Sequence, residues 1–119
     1  VGFLYVSLGG GKFQLMAEKA AGSKAIKNID TRSSKLLKEM ARTKKRQNGL
    51  MKSSSMELFQ NKRGIDYFVM LPLLNKRSLG GFILLGFENI RSLDTQDTEF
   101  LEVFSKHASE SMIKTGMLR

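Results

Sequence analysis

The sequence contains no cysteine in 119 residues. That excludes a disulfide framework, thiolate metal sites, thiol catalysis and any thioether-linked cofactor. Histidine occurs once, as His107, so a multi-histidine metal site and a histidine relay with backup ligands are out of reach. No apolar run approaches the ~20 residues that span a bilayer. No basic-then-apolar leader opens the chain. The first residue is Val1, not methionine, and it stands at the start of an apparent strand, so the chain is read as an excised piece with native sequence before it. Between Lys24 and Lys52 there is no Phe, Tyr or Trp.

What is present is ordinary globular composition, 41% hydrophobic and 26% charged, in a length that suits one domain spanning residues 1–119. The net charge is +9. It concentrates from Lys24 through Arg63 and includes the run Lys44, Lys45, Arg46. A basic domain can meet nucleic acid, an anionic membrane or acidic ligands. Nucleic-acid binding normally adds aromatics between the basic residues, and here they are missing. A solvated helix face and loop is the preferred reading. The alternative is a small basic nucleic-acid-binding module using residues 44–52 as a phosphate footprint, which salt-sensitive binding to generic DNA or RNA would reveal.

Residues 2–8 and 12–20 are short apolar runs separated by Gly9, Gly10 and Gly11, which predicts a β-hairpin because glycine supplies the positive φ of a tight reversal. Phe13, Leu15 and Ala17 alternate with Lys12, Gln14 and Glu18, though Met16 breaks the pattern. Residues 20–33 lose all alternation and predict loop with at most one helical turn. A helix follows, capped by Ser33 or Ser34, with Leu36, Leu37, Met40 and Ala41 on one stripe and a stop at Asn48-Gly49. Ser53 to Ser55 can cap a short helix through Met56, Leu58 and Phe59 that ends near Gly64. Residues 66–74 form a nearly continuous apolar run, the mark of a strand buried on both faces. Pro72 within it predicts pairing on one side only, or a bulge. A polar reversal with Gly80 and Gly81 then leads to a partner strand. Residues 93–119 predict a long helix with Asp94 as N-cap, Asp97 and Glu99 in its first turn, and a stripe of Phe100, Leu101, Phe104, Ala108 and Met112.

Chemistry-bearing residues are few. The glycines at 9–11 are not a phosphate loop, since Gly11-Lys12 runs into Phe13 and a strand and no helix begins there. His107 falls at the edge of the last apolar stripe with no partner base, and reads as a half-buried polar edge. Asp30, Glu57 and Asp66 are widely spaced; spacing alone does not exclude acid–base work, but nothing in the sequence supports it. Met40, Met51, Met56 and Met70 suit an adaptable cavity or plain core.

The order is hairpin, helical middle, hairpin, closing helix, which favours an α+β fold with helices packed on an antiparallel sheet. Pro72-Leu73, the run Gly81-Phe82-Ile83-Leu84-Leu85-Gly86 and the segment from Asp94 to Leu101 resemble the C-terminal half of a GAF domain. The likeness runs through the whole chain in order and is close over residues 67–113. It implies a GAF/PAS-like, profilin-like architecture in which the family's opening helix is missing. Asn89, Asp97 and Glu99 match only fragments of the motif of cyclic-nucleotide-binding relatives, so that ligand is not expected. Relatives that attach bilins or reduce free methionine sulfoxide use cysteines, which this chain lacks.

The resemblance implies a non-catalytic, cytoplasmic sensory or regulatory domain of a signal-transduction protein, with no cofactor and no membrane span. Its implied partners are a small-molecule effector, a second copy meeting it through the C-terminal helix, and a covalently linked output domain. Nucleic acid is disfavoured as a partner. A ligand cavity is expected over the sheet, roofed by the central helix and residues 45–66, with Met40, Phe59, Lys62, Tyr67 and Phe68 approaching it. Whether that cavity is open, or collapsed in a domain that serves dimerisation alone, is left open by the residues.

Overall fold

The computed structural model describes residues 2–19, 26–50, 66–87 and 95–116. Strands β1 (Gly2–Gly9) and β2 (Lys12–Lys19) form the first hairpin, and its turn uses three glycines at φ 89°, 64° and 79°. Gly11 is doubly constrained. A Cβ there would stand 2.5 Å from the Thr31 hydroxyl, and its carbonyl accepts from the Thr31 N–H at 2.9 Å. Gly11→Ala is expected to lower stability by about 1–3 kcal/mol, from the left-handed backbone and the displaced threonine. Urea denaturation checks this, with Gly10→Ala, where a Cβ meets nothing within 4 Å, as the control for backbone alone.

Met16 breaks the strand alternation for a physical reason. Leu4 pairs with Ala17 but Tyr5 pairs with Leu15, so Met16 is the extra residue of a β-bulge and is left exposed. The bulge moves Ala17 to the face opposite Phe13 and Leu15, which corrects the expectation that all three share one face.

Two short strands were not expected. Asn28–Asp30 (β3) pairs with β2 within the span read as loop, and buries Ile29 opposite Phe13. The chain then turns on Asp30, which accepts from the Arg32 N–H at 2.8 Å. That backbone hydrogen bond, the leading cause, holds the Asp30 carboxyl below its ordinary value. Ser34, not Ser33, caps helix α1 (Lys35–Thr43), its hydroxyl accepting from the Leu37 N–H at 3.2 Å. Leu37 and Met40 are buried, and Lys44 ends the helix in a left-handed conformation at φ 59°. The helix therefore stops well before Asn48-Gly49. Those residues belong instead to β4 (Gln47–Leu50), antiparallel to β5. The residues expected to form a helix from Ser53 to Gly64 lie outside the described ones.

The second hairpin joins β5 (Tyr67–Asn75) to β6 (Ser78–Phe87). Its turn is the pair Lys76-Arg77, with Lys76 at φ 59°, while Gly80 and Gly81 are buried inside β6 and take no part in the reversal. Among the described residues only β6 is paired beside Pro72, because β4 reaches no further than Met70, and a bulge follows at Leu73/Leu74. Among these residues the one-sided pairing inferred from that proline is realised, and the bulge stands just beyond Pro72, not at it.

The described strands make one antiparallel sheet in the order β3-β2-β1-β6-β5-β4. One face carries α1 and the larger core, with Phe3, Tyr5, Phe13, Leu37, Met40, Phe68, Met70, Phe82 and Leu84. The other carries helix α2 (Thr95–Lys114) over Leu73, Val69 and Leu71. β5 is buried on both faces for this reason, as its continuous apolar run required. α2 meets the sheet through Leu101, Ser105, Ala108, Ser109 and Met112. Phe100 is 69% exposed and Phe104, at 47%, lines only a groove at the flank of the helix, which corrects the stripe expected to bury both. Ser105, Ala108 and Ser109 are small enough to let the helix settle close to the strands, and Ser109 satisfies its hydroxyl on the Ser105 carbonyl at 2.8 Å. His107 is exposed, not half-buried. Asp94 lies outside the described residues.

Candidate functional site

The five residues expected at a ligand site are divided by the fold. Met40 and Phe68 share the buried cluster between α1 and the sheet. Tyr67 is their neighbour in sequence, but successive strand residues face opposite ways, and its ring lies on the α2 side with Val69 and Leu71. The Tyr67 hydroxyl there accepts a hydrogen bond from the Asn48 side-chain amide. Phe59 and Lys62 lie outside the described residues. Among the described residues, the sheet face under α1 is filled by packed side chains: Phe82 stacks on Tyr5 with ring centroids 4.7 Å apart and takes the edge of Phe13 at 5.4 Å.

Two open concave surfaces flank α2. A cleft of about 680 Å³ lies where α2 crosses the outer part of β5. Leu71, Pro72 and Leu74 come from the strand, and Glu102, Ser105, Lys106, Ser109, Glu110 and Ile113 from the helix. The segment after α1 contributes Lys44, Lys45 and Arg46, and the β5–β6 turn contributes Lys76. Arg46 ties this segment to α2, its guanidinium bonding the Glu102 carboxylate at 3.2 Å and the Asn48 side-chain oxygen at 3.1 Å. The Lys44 ammonium bonds the Ala41 carbonyl at the C-terminal end of α1, where the helix dipole favours positive charge.

A second groove of about 420 Å³ runs along the other flank of α2, between Leu4, Ala17, Ile83 and Leu85 of the sheet and Phe104, Ala108 and Met112 of the helix. Its lining is apolar throughout. Phe104 stacks loosely on Phe100 at 6.4 Å.

Among the described residues, no three His, Asp or Glu side chains gather to hold a metal ion, and no helix is long and apolar enough to cross a membrane. Lys45, Lys76 and Lys106 converge on the cleft from three separate elements. Reading the 44–46 run as a solvated face missed this, and the one signal that pointed there was Pro72, which stands just beyond the residues of β5 that pair with β4.

No protein-family model matches the sequence, and no curated protein matches it. Solved structures do. The GAF domain of a two-component sensor histidine kinase from Bacillus halodurans superposes with a TM-score of 0.74 at 13% identity, over 98% of this chain and 82% of that one. A GAF domain/HD domain protein from Geobacter sulfurreducens gives 0.73 at 15% identity, again over 98% and 82%. The type II free methionine-R-sulfoxide reductase from Thermoplasma acidophilum gives 0.67 at 14% identity, over 92% and 75%.

Proposed function

We propose that this chain, which has the fold of GAF domains, is a non-catalytic sensory or regulatory domain of a signal-transduction protein, with α2 as its output element. The observation that carries the reading is the two-sided character of α2. One side is held on β5 by Leu101, Ala108, Ser109 and Met112, while Phe100, Val103 and Phe104 stay exposed beside an apolar groove. A helix anchored on one side and apolar on the other can pass a shift in the sheet to a partner. Similar structures in a sensor histidine kinase and a GAF/HD protein support it. The reductase of the same fold is an enzyme, but a cysteine-free chain has no thiol with which to do such chemistry.

Two partners fit this reading, a second copy joined through α2 and a small-molecule effector. Sedimentation equilibrium tests the first. A concentration-dependent dimer is expected, and Phe104→Glu should weaken it at least about tenfold while leaving thermal stability nearly unchanged, since the ring is half exposed. A wild-type chain that stays monomeric at every concentration removes the dimer. A thermal-shift screen with nucleotides and metabolites tests the second, and no stabilisation by any compound counts against the effector.

A further inference from the structure

The cleft between β5 and α2 owes its existence to a short strand. β4 pairs with residues 67–70 of β5, so among the described residues no strand lies beside the outer edge of β5 from Leu71 onward. Pro72 lies in this open stretch and removes a backbone donor from it. The 44–46 segment and α2 form the two sides of the gap.

We propose that this cleft binds a small amphipathic organic anion, a carboxylate or phosphate monoester carrying an apolar body. Five lining cations, Lys44, Lys45, Arg46, Lys76 and Lys106, face two carboxylates, Glu102 and Glu110. Arg46 is engaged by Glu102 and the Lys44 ammonium by the Ala41 carbonyl. Lys45, Lys76 and Lys106 form no ion pair among the described residues. Leu71, Pro72, Leu74 and Ile113 line the same cleft, and Ile113 is 38% exposed.

Each half of the lining rejects a simpler ligand. A neutral hydrophobe leaves the lysines unused, and an inorganic anion leaves the apolar floor wet. A volume of about 680 Å³ suits a single small molecule. The cations line a cleft between strand and helix and not a flat patch, which favours a free molecule over a headgroup held in a bilayer. Lys106 and Ile113 belong to α2, so a bound anion would bear on the output helix, yet the binding itself does not depend on the regulatory reading.

Titration calorimetry on the whole chain tests this with decyl phosphate below its micellar concentration, alongside decyl glucoside, inorganic phosphate and phosphatidylglycerol vesicles. One decyl phosphate should bind per chain, with decyl glucoside and inorganic phosphate each about tenfold weaker or worse. The double variant Lys45→Gln, Lys76→Asn should lose about tenfold, and binding should weaken as salt is raised. Asparagine is chosen at 76 because it tolerates the left-handed backbone there, and an unchanged melting temperature shows that the fold is intact. Ile113→Ser should weaken decyl phosphate but not inorganic phosphate. Equal affinity for the glucoside, binding to vesicles alone, indifference to the double variant, or no binding of decyl phosphate each overturns the proposal. None of these outcomes touches the dimerisation test, so the two readings fail separately.

Discussion

Phe82→Ala lowers stability by about 3–5 kcal/mol, a large part of the roughly 5–15 kcal/mol that holds a domain of this size together. Phe82 is fully buried on β6, with Tyr5 opposite it on β1 and Pro72 opposite it on β5. Its ring stacks on Tyr5 at an interplanar angle of 15° and meets Phe13 at 62°, so two other aromatic side chains are positioned by it. Tyr5 is also held from its far end, its hydroxyl donating to the Ile26 carbonyl at 2.6 Å. Neighbours pinned in this way cannot collapse into the space a missing ring leaves. The loss therefore combines transfer and cavity costs. Urea unfolding at neutral pH measures it, with Phe100→Ala as the reference. That ring is 69% exposed, and its removal should change stability by no more than about 0.5 kcal/mol. A Phe82→Ala loss below about 1 kcal/mol would mean that the α1-side core is looser than described.

Leu73→Ala, on the other face, is expected to cost about 2–4 kcal/mol and to leave a different signature. Leu73 is fully buried, packed with Val6 and beneath Ala108 and Met112 of α2. Opposite it on β6 is Gly81, which has no side chain to fill the vacancy. Removing Leu73 weakens the seat of the helix more than the sheet. Amide hydrogen exchange should accordingly rise across residues 101–114 before it rises in β1, β5 or β6. Phe82→Ala should show no such preference. If α2 exchanges no faster than the strands in the Leu73 variant, the helix is not anchored where the proposed output role requires it.

Much of this architecture was legible in the residues. The glycine turn, the serine cap of α1, the doubly buried β5 and the special place of Pro72 follow from local rules, since each concerns the backbone freedom or polarity of a few neighbours. Met16 was a legible anomaly whose cause, a bulge, becomes visible only when the partner register is known. β3 and β4 were missed because three or four residues carry no measurable period. Asn28–Asp30 and Gln47–Leu50 are strands because β2 and β5 offer them edges to pair with. The stop signal at Asn48-Gly49 was outweighed for the same reason. Gly80 and Gly81 looked like a reversal, but they lie in a central strand, flanked by β1 and β5.

The candidate site was harder to see. Met40 and Phe68 do meet, as components of a packed core. Tyr67 could have been separated from Phe68 by strand alternation alone, because adjacent residues of an extended chain face opposite sides. The cleft on α2 could not have been found that way. Lys45, Lys76 and Lys106 are far apart in sequence and belong to a turn, a hairpin and a helix, so their convergence is a property of the topology.

By itself, the amino-acid order determined the elements whose causes are local: where the chain must turn, which runs bury both faces, and which chemistries a cysteine-free chain cannot perform. Tertiary structure alone decided which side of α2 meets the sheet, how far β4 runs along β5, and which lysines share a recess. Those are differences in free energy among whole arrangements, set by partners distant in sequence, and no single window of residues contains them.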